Sequence, residues 1–288
     1  MSKKYLYSFA GFTCAVTGPE GKLCPDNGDL AIFAAAEGEP DHTLEFQIVE
    51  ELSAPEGESI FQEHNIRVYR TEDAQISYKG LCAGDLNTAY LRIFRQGDKS
   101  TVQVKADSIR DRILSKLVLN AMEAEHHIVR HQGVLLHASF ICHDGKAILF
   151  TAPSGTGKST QAELWCRLRG ARQINGDRAS ITVRDDEVRA WGVPFCGSSG
   201  VCENVSAPVA AIVYLSQAPA TTITRLRSVS AYARVWEGCC VNTWDRLDVE
   251  RCSQTVLDLL EKVPVFHLAC TPDETAVAAL ERAIAQMR

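Results

Sequence analysis

The 288-residue sequence has no C-x-x-C pair among its eleven cysteines, no apolar run near the ~20 residues that span a bilayer, and no long basic stretch. Each absence removes a class of function. Zinc sites need close-spaced ligand pairs, and disulfide scaffolds are short secreted chains. An odd number of cysteines spread from Cys14 to Cys270 is instead expected to be buried or free thiols in a reducing compartment, and Cys239-Cys240 and the Cys196/Cys202 spacing read as packing. With 30 Lys and Arg against 36 Asp and Glu, the net charge is −6, which gives no electrostatic footprint for a nucleic-acid partner. Neither a nucleic acid nor a membrane is expected as a partner. The first residues resemble a signal peptide only faintly, because Tyr5, Tyr7, Ser8 and Thr13 interrupt any apolar core. A cytoplasmic location, where ATP is available, is the expectation.

No internal repeat and no low-complexity segment is found. Hydrophobic residues make up 45% and charged residues 23%, the balance of a globular protein. Residues 1–106 carry strand-like patches such as Leu44–Val49 and Ala89–Phe94, separated by turn chemistry at Glu37-Gly-Glu-Pro and Gln96-Gly-Asp-Lys. They read as a β-rich portion. From Ile109 the period changes, and Ile109, Ile113, Leu117, Ala121, Ala124 and Ile128 recur at helical spacing, with Ser108 as N-cap and Gly133 as the stop. One linking helix over 107–132 is predicted.

Residues 133–288 hold the chemistry. Val134–Ile141 and Ala147–Thr151 read as a hairpin around His143-Asp-Gly-Lys. The second strand runs into Ala152-Pro-Ser-Gly-Thr-Gly-Lys-Ser-Thr, and Gln161–Arg169 reads as a helix stopped by Gly170. Downstream lie a short strand at Gln173-Ile, a hairpin around Asp185-Asp186, a buried strand at Ala210–Leu215, helices near 228–240, 245–262 and 273–287, and a strand near 264–269.

Ala152 to Ser159 fits G-x-x-x-x-G-K-[ST] with Ala at its first position. A loop that turns its N–H groups onto phosphate needs glycines that tolerate unusual dihedrals, and Gly155 and Gly157 answer that need. Lys158 reaches the β- and γ-phosphates, Ser159 offers a hydroxyl to magnesium, and the helix opening there points its positive end at the anion. Ala152, Pro153, Ser154, Gly155, Thr156, Gly157, Lys158, Ser159 and Thr160 are the candidate nucleotide-binding residues. Transfer also needs a carboxylate, and Asp177, at the carboxyl end of the following strand, is the candidate for holding magnesium with Ser159 and for positioning the acceptor. A capping role in Asn175-Gly-Asp-Arg is its bland alternative. His137, between Leu136 and Ala138 on a strand, reads as a core histidine from periodicity alone. His127 and His131 sit at i, i+4 without an evident third metal ligand. Gly197–Asn204 is either an ordinary surface loop or one facing substrate.

Leu136-His-Ala-Ser, the Ala152–Thr160 loop and Asn175-Gly-Asp-Arg, in that order, resemble the HPr kinase/phosphorylase-type family, whose P-loop core is shared with phosphoenolpyruvate carboxykinase. The likeness runs from Val134 to about Leu215. It implies an α/β fold with a P-loop kinase core of that type behind a β-rich N-terminal portion, followed by C-terminal helices. It further implies a serine kinase using ATP and Mg2+, with Asp177, His137 and Lys158 as catalytic residues near the γ-phosphate. The acceptor is then a hydroxyl of a peptide, protein or small molecule, and a homo-oligomer is left open. Family members carry two adjacent acidic residues where this chain has Gly176-Asp177, and the basic C-terminal segment that engages HPr is not found. A nucleotide-gated binding module and a nucleotide hydrolase are the alternatives.

Overall fold

A computed structural model describes residues 2–19, 30–54, 57–63, 66–70, 76–82, 89–109, 114–185 and 187–287. The chain is mixed α/β, with six α-helices among these residues, and it divides into two compact units, Met1–Ala124 and Glu125–Arg288.

The first unit contains one nine-stranded sheet. Its strands are β1 (Ser2–Phe9), β2 (Phe12–Pro19), β3 (Ala34–Ala35), β4 (His42–Val49), β5 (Glu58–Glu63), β6 (Ile66–Arg70), β7 (Ile76–Cys82), β8 (Ala89–Gln96) and β9 (Lys99–Lys105). They run in the order β3-β1-β2-β4-β9-β8-β7-β6-β5, with β4 parallel to both neighbours. The opening residues that faintly resemble a signal peptide form β1, paired with β2 along its full length.

The linking helix is interrupted. Helix α1 (Leu114–Ala121) and helix α2 (Ala124–Arg130) are separated by a turn in which Glu123 takes a φ of 45°. A helix cannot pass through a left-handed residue, and the positive φ falls inside the apolar stripe where periodicity gives no warning. Residues 110–113, including Ile113 of the expected stripe, and Asp186 of the expected hairpin turn lie outside the described residues. Helix α2 ends at Arg130, Gln132 in the following turn takes a φ of 56°, and Gly133 is already the first residue of the next strand.

In the second unit β10 (Gly133–His143) and β11 (Lys146–Thr151) form the expected hairpin, turning at Asp144 and Gly145 with φ of 49° and 71°. There follow α3 (Lys158–Arg169), β12 (Arg172–Asn175), β13 (Arg178–Arg184), β14 (Glu187–Gly192), β15 (Ser206–Gln217), β16 (Thr222–Leu226) and α4 (Ser228–Glu237). The chain continues through β17 (Cys239–Cys240), α5 (Arg246–Lys262), β18 (Val265–Cys270) and α6 (Glu274–Ala285). Strands β11, β15 and β18 are mutually parallel, with β10 antiparallel to β11 on the far side.

The alternation of side chains along these strands explains the layers. Val134, Leu136, Ala138 and Phe140 of β10, with Leu149 of β11, bury against Ala231 and Val235 of α4 and Val256 and Leu259 of α5. Ile148 and Phe150 of β11, with Val213 and Leu215 of β15, face Ala162 and Trp165 of α3 and Val277 and Leu280 of α6. Strands apolar on both faces are covered by helices on both faces, as expected of a parallel core.

Candidate functional site

The segment between Thr151, the last residue of β11, and Lys158, the first of α3, contains Gly155 and Gly157 at φ of 77° and 119°. Both values lie in the region that favours glycine, as the sequence pattern requires. Gly157 is the N-cap of α3 and brings no side chain to the first turn. Lys158 is 8% exposed, and its Nζ donates to the carbonyls of Ala152 at 2.9 Å and Pro153 at 3.4 Å. The ammonium therefore sits inside its own loop. Burial lowers its pKa, and the charge of Asp177 pulls it back up. Ser159 and Thr160 are exposed in the first turn, where a helix N-terminus offers free N–H groups and a positive dipole end.

Asp177 is held by its neighbours. The side chain of Asn175, fully buried, accepts from the backbone N–H of Asp177 at 2.9 Å and of Arg178 at 3.0 Å, and its Nδ2 donates to Val193 O at 2.7 Å. This Asx turn, together with the bond from Ala138 N to Asp177 O at 2.9 Å, fixes the carboxylate beside β10. His137 Nδ1 lies 3.6 Å from Asp177 Oδ1, and Arg178 Nε lies 3.5 Å from Asp177 Oδ2. The Arg178 guanidinium rests over the Phe195 ring at 5.0 Å. His137 is half-exposed, with its N–H given to Gly238 O and its carbonyl accepting from Thr151 Oγ1. Burial holds its pKa below the ordinary 6.5, Lys158 adds to that depression, and Asp177 opposes it.

Lys158, His137 and Asp177 are thus electrostatic neighbours. Cys240 shares this environment with Arg178 and Asp177, but burial pushes its thiol up to about 11, so it stays protonated at neutral pH.

Two features were not legible in the sequence. Cys196 and Cys202 are joined by a disulfide with their Cα atoms 5.0 Å apart, which corrects the reading of these two as separate packing thiols. A short 3-10 turn at Gly197–Ser199 curls the chain back on itself and brings the two sulfurs together. The same turn lies on Asp177. A Cβ added at Gly197 would be 2.6 Å from Asp177 Cβ, and one added at Gly176 would be 1.9 Å from Ser199 Oγ. Ser199 therefore fills the space in which a side chain at position 176 would begin. Gly197–Asn204 is in part packed against the candidate carboxylate.

The second feature is a metal-compatible group among the described residues, His126, Asp245 and Asp248, rather than His127 and His131. His126 Nδ1 contacts Asp248 Oδ2 directly at 2.6 Å, and Asn242 Nδ2 donates to the same oxygen at 3.3 Å. His126 and Asp248 thus form a direct buried pair, while the partly exposed Asp245 stands with its Oδ2 3.9 Å from His126 Nδ1. The group had no signal in local spacing, since its members come from α2 and the start of α5.

The family model described as SynChlorMet cassette protein ScmC matches residues 102–284, more than half of the chain. This chain belongs to the ScmC family. The description names a cassette and no reaction. No curated protein matches this ScmC-family chain. A solved structure, that of the Hpr(Ser) kinase/phosphatase from Coxiella burnetii, aligns with 53% of the chain and 92% of its own length at 12% identity, with a TM-score of 0.31. No helix among the described residues is long and apolar enough to cross a membrane.

Proposed function

We propose that the chain binds a nucleoside triphosphate, with ATP as the expected one, at Ala152–Thr160 and transfers its γ-phosphoryl group to a hydroxyl, foremost a serine of a peptide or protein. The reading rests on one juxtaposition. A glycine-bent loop with a buried ammonium opens a helix, and a fixed carboxylate and a half-exposed imidazole stand beside it. The loop amides and Lys158 would stabilise phosphate charge, which is most of what catalysis of phosphoryl transfer requires. Ser159 and Asp177 offer the hard oxygen donors that magnesium takes, and magnesium held there would neutralise charge on the phosphate oxygens. His137, kept neutral by its surroundings, and Asp177 are the groups able to receive the acceptor proton.

A second reading is a nucleotide-binding module without transfer, and a specific observation favours it. Ser199 occupies the space next to Asp177 where a second acidic side chain would stand. The test is incubation with ATP, magnesium and a library of serine peptides, with products read by mass, for the wild type beside Asp177→Asn. The expected result is a phosphopeptide whose rate of formation drops at least ~10²-fold in the variant while nucleotide binding persists. Phosphate release without phosphopeptide would indicate a hydrolase, and binding without turnover the module. Full activity in Asp177→Asn would remove that residue from the mechanism.

A further inference from the structure

A cavity of about 400 Å³ opens beside the loop on the side away from Asp177. One wall is Gly155–Gly157 with Thr160 and Gln161, and the other is Leu215–Ala218 at the end of β15 and Cys270–Pro272 at the end of β18. We propose that this cavity seats the nucleoside of the nucleotide, so that the molecule lies across the loop with its terminal phosphate toward Asp177 and its base over β15 and β18. The proposal rests on the phosphate-binding reading above and adds to it where the uncharged half of the ligand goes.

Topology supplies the first argument. β11 lies between β10 and β15, so the loop that follows it has two flanks. On one flank Ala138 of β10 pairs with Thr151, which puts His137 and Asp177 alongside the loop's beginning. On the other, the carboxyl ends of the parallel strands β15 and β18 form the cavity floor. Carboxyl ends of parallel strands are where ligands sit in open α/β sheets. An acceptor hydroxyl must approach on the Asp177 flank, which leaves the cavity flank for the remainder of the nucleotide.

Chemistry supplies the second. No Asp, Glu, Lys, Arg or His lines the cavity, so it suits an uncharged group, whereas the loop beside it carries the groups that hold an anion. Its volume is in the range of small-molecule sites, about 300–1,000 Å³. Leu215, Ala218 and Pro272 offer apolar contact for a flat ring. Gln161, 3% exposed, gives its Nε2 to Cys270 Sγ at 3.3 Å, a weak acceptor, while its Oε1 has no hydrogen-bond partner. A buried carbonyl left unpaired is unfavourable, and a terminal amide turns easily. An amino group on a bound base would satisfy it.

The experiment compares calorimetric affinities of ATP and inorganic tripolyphosphate, each with magnesium, for the wild type and for Ala218→Trp. Ala218 is half-buried and the indole fills the cavity; Gln217→Trp, at an exposed lining position, is the second variant. The expected result is ATP binding at least tenfold tighter than tripolyphosphate in the wild type. In the variants that gap closes while tripolyphosphate affinity is retained, which also reports that the loop is folded. Equal affinities in the wild type, or a gap that survives in both variants, would overturn the nucleoside site and leave the phosphate loop standing. Binding of neither compound would overturn both.

Discussion

The two flanks of the Ala152–Gly157 loop differ in chemistry although they are adjacent in one sheet. The flank along β10 carries His137, Asp177 and Arg178, fixed by the Asn175 Asx turn and by a packed disulfide loop. The flank along β15 and β18 carries neutral side chains around a cavity. The charged side is crowded, and the neutral side is open. A site divided in this way can hold a molecule that is itself divided, an anionic tail joined to an uncharged ring, and it can keep reacting groups apart from groups that only bind.

The sharpest way to break this comparison is to disturb the crowding. Gly176→Asp would set a second carboxylate beside Asp177, but its Cβ falls 1.9 Å from Ser199 Oγ and 2.6 Å from Ser199 Cβ. Overpacking of this kind typically costs about 1–3 kcal/mol. Urea unfolding should show that loss for Gly176→Asp and recovery when Ser199→Gly, which removes both contacting atoms, is added. Unchanged stability in the single variant would mean that the Gly197–Ser199 turn yields readily and that the charged flank is not crowded.

A smaller effect is expected in the pH profile of transfer. His137 must be neutral to accept a proton, and its pKa lies below the ordinary 6.5 because burial and Lys158 disfavour the charged form. A depressed pKa means that the neutral form persists further into acid. The acid limb of the rate should therefore have its midpoint below pH 6.5, and His137→Gln should remove that limb. A midpoint at or above the ordinary value, or a limb retained in the variant, would exclude the histidine as the titrating group.

Local signals were legible and distant ones were not. The glycines at 155 and 157, the Asp144-Gly145 turn and the Gly170 stop, whose N–H reaches Cys166 O, follow from short-range conformational rules that a sequence displays directly. The C-terminal helices lie near their expected ranges, α5 and α6 following the caps Asp245 and Asp273, but α4 ends at Glu237 because Cys239 and Cys240 pair with β10 as β17. The break at Glu123 was hidden because a left-handed residue leaves the hydrophobic stripe intact on both sides. The Cys196–Cys202 bridge was missed because nothing in a six-residue spacing announces the 3-10 turn that closes it. The cavity was out of reach for a different reason: its walls are strand ends and a loop brought together only when β11, β15 and β18 align. His137 is the intermediate case. Its strand position was readable, but its place beside Asp177 depends on the pairing of His137 with Arg178 across β10 and β13.

The most direct test of the account is a calorimetric titration of the wild type and of Lys158→Ala with magnesium and ATP. The expected outcome is saturable heat at one site per chain in the wild type and none in the variant, whose loop has lost the ammonium now bonded to Ala152 and Pro153. No heat in the wild type, or the same heat in both proteins, would contradict it.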